Sequence, residues 1–207
     1  MRLKMDNFAV HSLLLNVDKM KRISLLASGS GSNVENIFKY FQHNAAVEVT
    51  SVLTNNKNAG VIERCNRLGI PLIYLSPEAL TTPGFILGIL QAQGVDLIVL
   101  AGYLKKIPND VIEAYPEKIV NIHPALLPKY GGKGMYGMHV HNAVKQAGET
   151  ASGISIHYVD GHYDTGDLIE QHSVQLEATD TPEDIAHKVH QLEYDYFPKA
   201  IATLLDV

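Results

Sequence analysis

The sequence predicts an α/β fold, a single Rossmann-like domain with a mostly parallel sheet and helices on both of its faces. Three observations carry that expectation. Short runs rich in Val, Ile and Leu recur along the chain, each brief enough to be a strand buried on both faces. Helical patterns separate the first five of these runs, and such alternation builds right-handed crossover units. No repeat, linker or low-complexity stretch divides the 207 residues, and a chain of that length can bury a sizeable core in one domain.

Taken in order, residues 1–19 are expected to be a dispensable N-terminal extension, with the domain over 20–207. The extension holds one short apolar run, Leu13 to Leu15, and lacks the small-residue cleavage site of a signal peptide. Met20-Lys-Arg leads straight into Ile-Ser-Leu-Leu-Ala, in the manner of a natural start. Strands are predicted over 23–27, 47–53, 72–75, 97–100 and 119–122, and helices over 33–42, 59–68, 85–93 and 109–114. Past Ile122 the pattern changes. Pro124, Pro128 and the run Gly131-Gly-Lys-Gly-Met-Tyr-Gly137 make a loop longer than a connection needs, which points to function. A helix follows over 139–147, then two strands over 152–159 and 168–174 joined by a turn. The last helix starts at Thr181 as cap, with Pro182 at its first position and Glu183 and Asp184 complementing its positive end.

Composition removes several classes of function. A formal net charge of -5 provides no overall basic field for nucleic acid or an anionic membrane, although a local pocket for one phosphate remains open. No apolar run approaches the roughly 18 residues of a membrane span. Cys65 is the only cysteine, which leaves no disulfide framework or thiolate metal cluster, and its helical setting reads as packing. The expectation is a cytoplasmic protein acting on small molecules, monomeric or homodimeric.

Ser28-Gly-Ser-Gly-Ser-Asn33 follows the first strand and opens a helix. Glycines there let a backbone approach an anion, and unpaired N–H groups at the helix start point toward it. There is no lysine for a P-loop, and Val34 stands where a dinucleotide fingerprint needs its third small residue. What remains is a phosphate cradle of Gly31, Ser32 and Asn33, or a plain strand–helix turn. A dinucleotide-binding oxidoreductase is further disfavoured by the absence of a ribose-binding acid in Val52-Leu-Thr-Asn-Asn56.

Asn121-Ile-His123 ends the fifth strand, so the period of two puts Asn121 and His123 on one side at the sheet's carboxyl edge, where open α/β sheets hold ligands. An amide can donate to a developing oxyanion, and an imidazole can donate or shuttle a proton. Asp164 lies in the turn before Thr165-Gly166 and, taken alone, is equally an ordinary turn residue. His157, inside a strand, reads as structural. His139 and His141 open a helix and fit either a supporting or a solvated role. No His-Glu-x-x-His or equivalent zinc spacing occurs.

Together, Ser28-Gly-Ser-Gly-Ser-Asn33, Leu100-Ala-Gly-Tyr103, Asn121-Ile-His-Pro-Ala-Leu-Leu-Pro128 and Ser155-Ile-His-Tyr-Val-Asp-Gly-His-Tyr-Asp-Thr-Gly166 resemble the glycinamide ribonucleotide formyltransferase family in order and spacing. The likeness runs over about 21–205. It implies the formyltransferase fold and transfer of a formyl group from 10-formyltetrahydrofolate, a co-substrate, to the amine of 5'-phosphoribosylglycinamide in purine biosynthesis, without a metal. By the same resemblance Asn121, His123 and Asp164 are the catalytic trio. Gly31, Ser32 and Asn33 hold the substrate phosphate, and Glu193 contacts the ribonucleotide. Leu104, Lys105, Lys106 and Ile107, with Asn121, line the folate site, and Leu127–Pro128 is a candidate cis peptide. Members often place an Arg over 76–85 to meet the folate, and this chain has none there. Related enzymes that formylate methionyl-tRNA or hydrolyse the formylated folate are expected to carry an extra domain for which these 207 residues leave no room.

Overall fold

The computed structural model describes residues 20–207, so the expectation for residues 1–19 lies outside the described residues. Seven strands form one sheet: β1 (Lys21–Leu26), β2 (Val47–Thr54), β3 (Leu72–Tyr74), β4 (Leu97–Leu100), β5 (Ile119–His123), β6 (Ala151–Tyr158) and β7 (Leu168–Gln175). Their order is β3-β2-β1-β4-β5-β6-β7, parallel through β5 and antiparallel in the last two pairings. The chain winds outward from β1 to β3 and then returns to lay β4 against the other side of β1. That reversal opens a crevice beyond the carboxyl ends of β1 and β4, where ligands of such sheets bind.

Among the described residues seven helices accompany the strands: α1 (Ser32–Phe41), α2 (Val61–Leu68), α3 (Pro77–Thr81), α4 (Phe85–Ala92), α5 (Asn109–Ala114), α6 (Met138–Gln146) and α7 (Pro182–Leu205). Side-chain alternation along the strands divides the core in two. On one face Leu97 and Val99 of β4 and Val120 and Ile122 of β5 pack with α1, α2, α6 and α7. On the other, Ile98 and Leu100 of β4 and Ile119 of β5 pack with α4 and α5. Cys65 is fully buried in the first core, as packing. Burial lifts its thiol to about 11, away from thiolate chemistry at neutral pH.

The predicted elements are all present, with ends displaced by one or two residues. Helix α3 was not anticipated. It is a single capped turn in which the Ser76 hydroxyl accepts from Ala79 N at 3.2 Å and Pro77 occupies the first position. Its five residues bury no side chain, so no apolar period announces it. The start of α7 follows expectation closely: Thr181 and Asp184 form a reciprocal capping box. Among the described residues no helix is long and apolar enough to cross a membrane.

Candidate active site

A cavity of about 590 Å³ occupies the crevice at the switch point. One wall is the loop from Gly29 to Asn33. Gly31 has a φ of 77°, and a Cβ there would stand 2.5 Å from Val61 Cγ2, so a side chain is excluded by both backbone and neighbour. Helix α1 begins at Ser32 with no side-chain cap, which leaves its first N–H groups for another partner. The facing wall comes from α7. Glu193 is 5% exposed, and its Oε2 accepts from Asn33 Nδ2 at 2.9 Å across 160 residues of sequence. Asn33 Oδ1 is buried without a partner, as is His141 Nδ1, and both residues line the cavity. Asn33 Oδ1 can accept from a ligand, and His141 Nδ1 can accept or donate according to its tautomer.

Burial pushes the Glu193 carboxyl up to about 7, the Asn33 hydrogen bond opposing only part of the shift. In the unfolded chain the same carboxyl releases its proton near pH 4.3. Between those values the folded chain keeps a proton that the unfolded chain has lost, so this group's contribution to stability declines as pH rises through that window. Glu193→Gln removes the titration. Its stability relative to the parent protein is therefore expected to rise by on the order of 2 kcal/mol between pH 5 and pH 8. Denaturant unfolding at the two pH values measures it, and an unchanged difference would contradict a raised carboxyl.

At the end of β5, Asn121 and His123 project beneath the glycine-rich loop, and Asp164 reaches them from the β6–β7 turn. His123 Nε2 lies 2.7 Å from the carbonyl of Tyr130, which must accept, so Nε2 carries a proton in every state. The nitrogen that titrates is then Nδ1, which stands 3.5 Å from Asp164 Oδ2. His123 is 3% exposed. Burial holds it below the ordinary histidine value, opposed by the charge of Asp164 and the Tyr130 carbonyl and assisted by His157. The unliganded site thus presents a neutral imidazole at pH 7. Burial alone would raise Asp164, but His157, His123 and the Gly132 N–H, which donates to Oδ2 at 2.8 Å, together keep it below the usual carboxylate value. A Cβ on Gly131 would meet Leu127 Cδ2 at 2.5 Å and Asp164 Cβ at 3.3 Å, so glycine lets the loop lie against the acid. The Leu127–Pro128 peptide beside it is cis.

His157, read from the sequence as structural, is a buried residue in contact with the trio. It is paired in register with Asn121 across β5 and β6. Its Nδ1 donates to the Tyr158 carbonyl at 2.7 Å, so a neutral His157 presents Nε2 as an acceptor to Asn121 Nδ2 at 3.1 Å. This fixes which way the Asn121 amide faces. The same Nε2 stands 3.7 Å from Asp164 Oδ1, placing His157 between two members of the trio. The signal in the sequence is the period of two counted forward from Ser155 in the second strand motif; the identity of the partner strand is not in it. The paired choice over the helix-opening histidines also resolves: His141 is 2% exposed and lines the cavity, whereas His139 is exposed against Tyr136. Burial, followed by the proximity of His190 and His123, drives His141 down to about 4.

Beside the cavity a second hollow is lined by Leu100, Tyr103, Ile107 and Val159, with Lys105 and Lys106 exposed at its rim. Tyr103, Asn121, Tyr163 and Asp164 border both hollows. Leu104 lines the larger one and is itself exposed. The structure thus brings together every site residue expected from the sequence, in two groups with Asn121 and Asp164 at their junction. Among the described residues no group of three or more His, Cys, Asp or Glu side chains converges in a way that could hold a metal ion.

With that geometry established, comparison with known proteins is informative. A family model described as formyl transferase matches residues 21–201. The chloroplastic phosphoribosylglycinamide formyltransferase of Arabidopsis thaliana is 37% identical over 194 residues, covering 91% of this chain and 66% of that protein. The phosphoribosylglycinamide formyltransferase of Bacillus subtilis is 35% identical over 191 residues, covering 90% and 95%. The chain spans just under two thirds of the plant relatives' length, 66% for Arabidopsis and 62% for Vigna unguiculata. The crystal structure of phosphoribosylglycinamide formyltransferase from Anaplasma phagocytophilum superposes with a TM-score of 0.82 at 30% identity, over 91% of this chain and 88% of that one.

Proposed function

The chain belongs to the formyl transferase family, and from that premise we propose that it moves a formyl group from 10-formyltetrahydrofolate to the amine of 5'-phosphoribosylglycinamide, a step of purine biosynthesis. One observation carries this reading. The trio Asn121, His123 and Asp164 stands in the cavity that holds the phosphate-sized loop and helix start, and Asn121 and Asp164 also border the second hollow, where Leu100, Tyr103, Ile107 and Val159 lie among polar side chains.

Gly31, Ser32 and Asn33 hold the phosphate with backbone N–H groups at the start of α1, and Glu193 receives the ribose. Tyr103, Ile107 and Val159 suit a flat heteroaromatic ring, and Lys105 and Lys106 at the rim suit the carboxylates of a folate tail. Those lysines stand in for the arginine absent over 76–85. The folate supplies the electrophilic formyl carbon. Asn121, its amide set by His157, donates to the formyl oxygen as charge develops there. As the amine nitrogen bonds to the formyl carbon, His123, neutral at rest, takes the amine proton at Nδ1, directly or through one water, and the cation so formed sits beside Asp164. Collapse of the tetrahedral centre then breaks the bond from the formyl carbon to the folate nitrogen, which receives that proton and leaves as tetrahydrofolate. None of these steps requires a metal.

The test is a formyl-transfer assay with both substrates, followed by absorbance, beside a control lacking the ribonucleotide. Transfer dependent on the ribonucleotide supports the proposal; release of formate in its absence would identify a hydrolase instead. Within this reading, Gly31→Val is expected to raise the ribonucleotide KM at least about tenfold, because a side chain there displaces the loop from the anion. The KM for the folate should move far less, and equal changes in both would remove the phosphate assignment. We also propose that the domain over 20–207 carries the activity. Deleting residues 1–19 should leave a cooperative melting transition and kcat within about twofold, and loss of either would show that the extension belongs to the fold.

A further inference from the structure

We infer that Ser28 is a positioning residue that fixes the spacing between the two substrate subsites, an inference that rests on the two-substrate reading above. Ser28 precedes the phosphate loop and is 6% exposed. All three of its polar groups are tied to chain leaving other strands. Its N–H donates to the Gly102 carbonyl at 2.9 Å, and its carbonyl accepts from Asn56 Nδ2 at 3.2 Å. The hydroxyl accepts from Leu104 N at 2.9 Å and donates to Asn55 Oδ1 at 2.6 Å. Asn55 and Asn56 follow β2, whereas Gly102 and Leu104 follow β4 and open the segment assigned to the folate.

A hydroxyl has one proton to give. With that proton on Asn55, the oxygen is free to receive Leu104, and the three groups form a directed chain, Leu104 N–H to Ser28 Oγ–H to Asn55 Oδ1. The chain crosses from the wall that cradles the phosphate to the wall that receives the folate, at the switch point of the sheet. Alanine at 28 leaves the Leu104 N–H and the Asn55 carbonyl without this partner, and neither lies in a ladder that could hold it. Each subsite keeps its own binding groups. What is lost is their mutual register, and a misplacement of about 1 Å between reacting groups costs on the order of a hundredfold in rate.

Ser28→Ala is therefore expected to lower kcat at saturating concentrations of both substrates by about ten- to a hundredfold, while each KM stays within about threefold. A role confined to stability would lower the melting temperature and leave kcat unchanged below it. Asn55→Ala, at a half-buried position outside both subsites, should act in the same direction, and the double variant should be no slower than Ser28→Ala, because one chain of bonds is broken only once. Should Ser28→Ala not fold, Asn55→Ala reads the same quantity alone. A saturating kcat within twofold of the parent, or effects of the two substitutions that multiply, would overturn the inference. A parent protein that transfers no formyl group would instead overturn the functional reading, and this one with it.

Discussion

His123→Ala is expected to lower kcat at least about a hundredfold while leaving the ribonucleotide KM within a few-fold. The size follows from the two tasks the imidazole performs. Proton transfer by a positioned side chain typically contributes a factor of about 10²–10⁴, and the imidazolium formed by that transfer is held by the charge of Asp164. Geometry restricts both tasks to Nδ1, since Nε2–H is committed to the Tyr130 carbonyl. The phosphate loop lies across the cavity on α1, which explains why binding should persist. Alanine also frees the Tyr130 carbonyl and with it the start of the glycine-rich loop, so the melting temperature must be measured beside the rate. His123→Gln offers an amide to Tyr130 without a titratable nitrogen, and it should be as slow as alanine if chemistry rather than loop position is lost. A His123→Ala enzyme with near-normal kcat would end the mechanism even if fold and substrates stood.

Much of this site was legible in the sequence because its chemistry sits at strand ends. Asn121 and His123 are two residues apart in a buried run, so their shared side followed from the pleat alone. Gly31 was legible because a strand, a glycine pair and a helix adjoin within a few residues. What was not legible depends on pairing between distant segments. His157 supports Asn121 only because β6 lies antiparallel to β5 in that register, 36 residues away. Glu193 was reached through family resemblance; its burial against Asn33 needs α7 laid over α1, which no local pattern states. Ser28 likewise reads as one polar residue in a loop until β2 and β4 bring Asn55 and Leu104 to it. The order of the sheet, with β4 returning beside β1 and β6 laid beside β5, decides the cases of Ser28 and His157.

Asp164→Asn is expected to lower kcat by about ten- to a hundredfold and to move the acidic limb of the kcat/KM profile to lower pH. The substitution keeps the shape, and its amide oxygen can still accept the Gly132 N–H that holds the loop. It removes the negative charge 3.5 Å from His123 Nδ1. That charge opposes burial and raises the His123 value, so its loss lets burial prevail and the imidazole holds its proton less firmly. If neutral His123 accepts the amine proton, the acidic limb reports its deprotonation in the free enzyme, and an imidazole that is easier to deprotonate shifts that limb downward. The rate falls for the complementary reason: the cation formed during transfer no longer has an anion beside it. Because the acid works only through the histidine, Asp164→Asn added to His123→Ala should cost almost nothing more. An acidic limb that moves to higher pH, or effects that multiply in the double variant, would show that Asp164 acts on the substrates and not on His123.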